Sequence, residues 1–368
     1  MSLSCRKALS LIGGGTILAA GASAAGFLAT RTPAKAQAPW ELAGSYSDPR
    51  KNALSYALLA PNPHNLQPWQ VALEGGDALT LSHDGVRNLP HTDPDGRQIK
   101  IGMGCFLEQM VIAASAAGYD VDLTLFPEGP AGPIARAVFA EGAQTDPLAE
   151  HILARRSCKK PFTDQAVPAA HAEALRSQVD VYTDPAMVAA IQELSFDAFM
   201  VETLTPRTMK ESVDLMRMGK VEINATPDGI DMGGAFLESL MLTGMLSRDA
   251  LLDPDNPAFS GGIDSFRELM LATPAYAVLT TAGNNALDHI EAGRRWLRLN
   301  LTTTGMGLSL HPISQALQEY PEMQVLYAKA HEMLAPKGHT VQMLGRLGYG
   351  PEIPRTPRWP LEAKLARA

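Results

Sequence analysis

The stretch Ala60-Pro61-Asn62-Pro63-His64-Asn65-Leu66-Gln67-Pro68-Trp69 decides how the rest of this sequence is to be read. Pro61 and Pro63 stiffen it, while Asn62, His64, Asn65 and Gln67 present amide and imidazole groups from it. A rigid loop with convergent hydrogen-bonding groups suits the edge of a heteroaromatic ring better than a bulk anion. The plainer alternative is a capped turn whose amides satisfy local backbone, and the residues alone leave both open.

Around this loop the elements follow from caps and stops. Ser47-Asp48-Pro49 supplies a helix cap and a proline at the first helical position, which predicts a helix over Arg50–Ala60 stopped by Pro61. Trp69–Leu73 and Ala78–His83 read as strands joined by the Glu74-Gly75-Gly76-Asp77 turn. Ile101–Ala117 reads as an amphipathic helix ended by Gly118, and Asp120–Phe126 with Ile134–Phe139 as a second strand pair. The pattern then restarts. A helix through Leu148–Arg156, a long helix after Asp184-Pro185, a β run over Ala275–Thr281 and a helix over Asp288–Thr304 are expected. Pro206–Gly262 reads as irregular and Met-rich, either adaptable packing or a lid over a pocket. Helices mixed with short strands, without βαβ regularity, predict an α+β protein in two halves, residues 39–145 and 146–368.

The front of the chain reads as an export segment. Arg6 and Lys7 precede a small apolar run from Ala8 to Ala29 that carries no charge, and Ala36-Gln37-Ala38 offers an A-x-A cleavage site before Pro39. Residues 1–38 are therefore expected to be removed on export to the periplasm, leaving no stable membrane insertion. Ser4-Cys5-Arg6-Lys7 resembles a twin-arginine signal with Cys5 in place of the first Arg. Without Arg6, Lys7, Arg31 and Lys35, the body carries 27 Lys and Arg against 39 Asp and Glu, a net charge of −12. An acidic body excludes an extended nucleic-acid surface but leaves room for one basic pocket. Cys105 and Cys158 fit buried structural roles better than redox chemistry, although one disulfide is possible.

Such a pocket is suggested by Arg155-Arg156-Ser157-Cys158-Lys159-Lys160, four cations and a hydroxyl that could hold a phosphate. A solvated basic turn is the ordinary alternative. The balance shifts with a second basic pair, Arg355 and Arg358, near the C-terminus. Metalloprotease, zinc-cluster, nucleophile-elbow and P-loop motifs are all missing from the sequence, and the histidines are scattered.

Together these segments resemble the nitroreductase-like flavoproteins. The family's x-P-S-x-x-N-x-Q-P-W loop stands here as Pro61–Trp69, and its R-[RH]-S-x-[KR] phosphate motif as Arg155-Arg156-Ser157-Cys158-Lys159 followed by Val167-Pro168. A helix ending in G-x-G-L and then a proline corresponds to Gly293–Leu308 with Pro312. The closing G-Y and basic segment corresponds to Arg346–Gly350 and Arg355–Arg358. The usual member reaches the phosphate motif first and completes its site as a homodimer. Here the order is reversed, with Asp93-Pro94-Asp95-Gly96-Arg97 leading into the first long helix. This is similar to the Acg-type branch, in which one chain imitates the dimer.

The resemblance implies a nitroreductase-like α+β fold, a monomer with an internal pseudo-dimer, and FMN as cofactor. It implies that Arg155, Arg156, Ser157, Lys159, Arg355 and Arg358 surround the phosphate. Asn62, His64, Asn65 and Gln67 would face the ring from the other half, and Pro312, Ile313 and Ser314 would line the flavin face. The activity implied is hydride transfer from NAD(P)H to FMN and on to a nitroaromatic, quinone or similar small-molecule acceptor. The competing reading is a non-catalytic protein that stores or sequesters FMN. No side chain is required as acid, base or nucleophile.

Overall fold

The protein, known here from a computed structural model, is described at Phe27 and over residues 30–366. Two four-stranded antiparallel sheets organise it. The first runs β1 (Trp69–Glu74), β2 (Ala78–His83), β4 (Ala135–Glu141), β3 (Tyr119–Leu125) in spatial order. Along β3, Val121, Leu123 and Leu125 are half-buried while Asp120, Asp122 and Thr124 face water, so this sheet has one wet face. The second runs β5 (Asp180–Tyr182), β8 (Ala275–Thr281), β10 (Thr340–Gly348), β9 (Ser309–Pro312). Here β8 is buried on both faces. Ala275, Ala277 and Leu279 join the main core, while Tyr276 and Val278 pack with helices Pro185–Leu204 and Gln324–Leu334.

Between the sheets cross two of the three 20-residue helices, Arg97–Ala116 and Ala286–Gly305. Each starts on a side-chain cap. The Asp93 carboxylate accepts from Gln98 and Ile99 N–H, and Asn285 and Asp288 form a reciprocal capping box. The helices touch at Gly104 and Gly293, where a Cβ on either would stand 2.1 or 2.0 Å from a carbonyl oxygen of the other helix. Glu108, buried on the first helix, accepts from Arg294 and Arg298 of the second, both at 2.7 Å.

The α+β expectation holds, with local corrections. Asp48 caps its helix as expected, but that helix is Pro49–Ala57 and yields to turns before Pro61. Arg97–Ala116 is buried nearly all round instead of amphipathic, because the helices Ala286–Gly305 and Pro49–Ala57 and strand β3 close over it. In place of a helix over 148–156 there is one 3-10 turn, Pro147–His151, after which the chain leaves to carry Arg155 inside. The expected irregular segment 206–262 is ordered into short helices and a two-stranded parallel sheet, β6 (Met216–Met218) with β7 (Ile230–Met232). Its methionines build a small core of their own: Met209, Met216, Met218, Met232 and Met241 pack around Val213, Leu246 and Leu251. Cys105 and Cys158 are both buried and unbonded to each other. The 38/39 boundary cuts through a helix, Ala34–Leu42, while the Cys5-Arg6-Lys7 motif lies outside the described residues.

Candidate functional site

The Pro61–Trp69 loop holds three non-glycine residues in left-handed backbone, His64 (φ 48°), Asn65 (φ 54°) and Gln67 (φ 53°). Each such residue costs on the order of 1 kcal/mol, so the surroundings must over-determine the loop. They do. The Asn62 side-chain oxygen accepts from Gln67 N–H at 2.8 Å, and its amide donates to Ala60 O. Asn65 donates to Pro357 O and accepts from Arg358 at 2.7 Å. Gln67, fully buried, donates to Pro227 O at 2.7 Å and accepts from Trp359 N–H at 2.9 Å. Lys364 closes the loop by donating to Gln67 O at 2.6 Å.

The amides of Asn62, Asn65 and Gln67 are thus spent within the protein, which is the capped-turn alternative for those three. His64 is different. Its Nδ1 is buried without a partner, and burial together with the nearby Lys159 ammonium lowers its pKa to about 4.

The basic cluster divides in the same way. Arg155 points inward, donating to Leu59 O at 2.9 Å and Asn300 Oδ1 at 3.1 Å. Arg358 donates from its Nε and both terminal nitrogens to the carbonyls of Leu58, Leu59, Ala60 and Pro357, to Thr356 Oγ1 and to Asn65 Oδ1. Both guanidiniums are buried, and burial, with repulsion from Arg156 on Arg155 and from Arg155 and Arg156 on Arg358, depresses their pKa values to about 10 and about 9. Neither is placed as a free phosphate grip. Arg355 pairs with Glu41 at the surface.

Lys159 and Ser157 remain open. Among the described residues Lys159 forms no ion pair; the residue is exposed to solvent, yet the protein crowded around it lowers its pKa, so its ammonium stands in a hollow open to solvent. Burial lowers its pKa, and Asp231 across the hollow offsets part of that. Ser157 is half-buried beside Leu310, with a bridge between the two backbones. Arg156 spends one terminal nitrogen on Leu153 and Arg155 carbonyls and leaves the other unengaged.

Two residues with no sequence signal join them. His311 is held through Nδ1 by Arg346 at 3.2 Å, and since arginine only donates, the His311 proton sits on Nε2. Burial, Arg346 and Lys159 all keep His311 neutral. Asp231, on β7, is the carboxylate that faces Lys159, with its own pKa raised by burial. Pro312 and Ser314 are half-buried next to His311, whereas Ile313 turns away to pack with Leu269, Met270, Phe196 and Phe266. A separate cleft lined by Leu148, Ser177, Gln178, Arg295, Arg298 and Thr302 shares no residue with this cluster.

No family model matches the chain. Over 86% of its length it is 25% identical to a Mycobacterium tuberculosis protein named "Putative NAD(P)H nitroreductase acg", and the match spans 95% of that protein. A second M. tuberculosis protein, uncharacterized, is 35% identical over 39% of the chain, and there the match spans only 43% of the relative. Among solved structures, the FMN-dependent nitroreductase NfnB from Mycobacterium smegmatis in complex with NADPH aligns with a TM-score of 0.38 and 19% identity. That alignment covers 60% of this chain and 98% of the other.

Proposed function

We propose that this chain, nitroreductase-like and of the Acg type, binds one FMN in the hollow and serves as a NAD(P)H-dependent oxidoreductase for a small-molecule acceptor. The observation that carries the reading is Lys159, a solvent-accessible ammonium crowded by protein, with no ion-pair partner among the described residues. An unpaired cation that the surrounding protein partly desolvates favours an anion beside it. Ser157 Oγ, the Lys159 ammonium and the unengaged edge of Arg156 would hold the phosphate. His64 and the Nε2–H of His311 would meet the ring.

When bound, FMN supplies the ring that takes a hydride and passes electrons on; the protein supplies position and electrostatics. Arg155 and Arg358 act at one remove. By gathering the carbonyls of Leu58, Leu59 and Ala60 they fix the loop that carries His64. A neutral His64 adds no second charge beside Lys159.

One observation favours the storage reading. The turn before β7 is stitched to the loop: Gly229 N–H donates to Asn65 O at 3.1 Å, Pro227 O accepts from Gln67, and Asp228 accepts from Trp359, Arg217 and Arg87. A bulky acceptor would have to part these bonds to enter.

The test is Lys159→Ala. One charge-assisted contact is worth about 1.5–3 kcal/mol, so FMN should bind roughly ten- to a hundredfold more weakly. Riboflavin, which has no phosphate, should lose far less, and the melting temperature should hold. Unchanged FMN affinity in a folded variant would remove the phosphate assignment. Anaerobic mixing of the flavin-loaded protein with NADH or NADPH separates turnover from storage, since only turnover bleaches the flavin band.

A further inference from the structure

The helix Ala34–Leu42 is part of the wall behind the basic cluster. Ala36 is 1% exposed and Trp40 2%. Ala36 N–H donates to Asn224 Oδ1 at 3.0 Å, and its carbonyl accepts from Arg358 N–H at 2.8 Å. The Gln37 amide donates to Arg355 O at 2.7 Å, and the Trp40 indole to Thr356 O at 2.8 Å. The Trp40 ring also carries the guanidiniums of Arg156 (4.5 Å), Arg355 and Arg358 (both 5.8 Å). Just upstream, Arg31 pairs with Glu238 at 3.0 Å and Thr30 O accepts from Lys220 at 2.8 Å.

Cleavage after Ala38 is incompatible with this arrangement in two ways. In the folded protein Ala36-Gln37-Ala38 is helical, and Ala36 is buried, so no extended substrate is presented. If cutting came before folding, the helix would shrink to Pro39–Leu42, too short to hold itself. Arg358 N–H and Asn224 would then lose their partner, and Trp40 would hang two residues from the terminus. Upstream, Ala22-Ser23-Ala24 is a second A-x-A. Counted from the Arg6-Lys7 pair, it closes an uncharged run of 14 residues, Ala8–Gly21, inside the ordinary apolar length of about 7–15, whereas Ala36-Gln37-Ala38 lies far beyond that range.

We infer that the export segment ends at Ala22-Ser23-Ala24 and that residues 25–42 stay with the mature protein, with the stretch from Thr30 to Leu42 lying as a strap over the basic cluster. This inference rests on the export reading. The step is hydrolysis of the Ala24–Ala25 amide by the host's export peptidase, with water giving a carboxylate on Ala24 and a free amine on Ala25.

Expressing the full chain in a Gram-negative host and measuring intact mass in each fraction tests it. The expected periplasmic species begins at Ala25. Ala24→Tyr, which removes the small side chain before the cut, should leave the full-length chain, and Ala38→Tyr should leave the Ala25 start unchanged. A periplasmic species beginning at Pro39, or processing that survives Ala24→Tyr and stops with Ala38→Tyr, overturns the inference while leaving export standing. An uncut chain confined to the cytoplasm overturns both.

Discussion

Arg358 shows how neighbours decide the work a side chain does. A sequence gives its charge but not the direction of its donors, and every one of them turns to protein oxygens, four of these backbone carbonyls. Removing it would strand buried acceptors at the root of the loop. Arg358→Ala should therefore cost about 3 kcal/mol or more in urea unfolding, with Arg358→Lys recovering part of the loss but not the forked geometry. A variant as stable as the parent would return Arg358 to the role of ligand. His64 gives a second prediction at this scale. Its pKa falls from 6.5 to about 4 on folding, so the folded state prefers the neutral ring. That stabilisation is complete above pH 6.5 and disappears as pH falls towards 4, up to about 3 kcal/mol at 1.36 kcal/mol per unit. Melting temperatures across pH 4–7 should fall less steeply for His64→Gln than for the parent, and parallel curves would show that the ring does not titrate as placed. The basic run and the amide-rich loop were legible as a place. Which members face the hollow was not, because that depends on Leu59, Asn300, Pro357 and Trp359, remote in sequence.

At the scale of elements, legibility follows how local the cause is. Asp48, Gly118, Asn285 and Asp184-Pro185 act within a few residues, so the elements they bound stand where the sequence put them, within a turn. The short helices of 206–262 have no such internal cause. They gain order by closing apolar faces on one another around Val213, Leu246 and Leu251, a tertiary effect invisible to periodicity. Equally hidden was the reason for glycine at 104 and 293, since each helix alone would prefer alanine. At the crossing, a Cβ on Gly104 would meet Ile290 O at 2.1 Å and force two buried helices apart. Gly104→Ala should cost about 3 kcal/mol or prevent folding, against a helix-propensity gain of about 1 kcal/mol. Gly76, with nothing within 4 Å of an added Cβ, is the control, and Gly76→Ala should change the unfolding midpoint little. A stable Gly104→Ala variant would mean the helices cross elsewhere or more loosely.

The same crossing bears on how the whole molecule assembles. Gly104 faces the carbonyl of Ile290, three residues before Gly293, and Gly293 faces that of Ile101, three residues before Gly104. A contact in which each member meets the same feature of the other is what a two-fold interface would show, and it supports the proposal of an internal pseudo-dimer. We propose that the chain's own second half covers the surface that a partner copy would occupy. What does not repeat is the chemistry. The sequence holds one amide-rich loop, in the first half, and one basic motif, in the second. They come together where Arg155 donates to Leu59 O, just before the loop, and where Lys159 lies near His64. Two-fold packing with unlike halves predicts one FMN per chain and a monomer in solution. Sedimentation equilibrium or light scattering of the flavin-loaded protein, combined with flavin absorbance against protein concentration, should give a single-chain mass and a ratio near one. A ratio near two would require a second binding hollow. A dimer whose interface brings one copy's Pro61–Trp69 loop to its neighbour's Lys159 would mean that the internal contact, however symmetric, does not replace the intermolecular one.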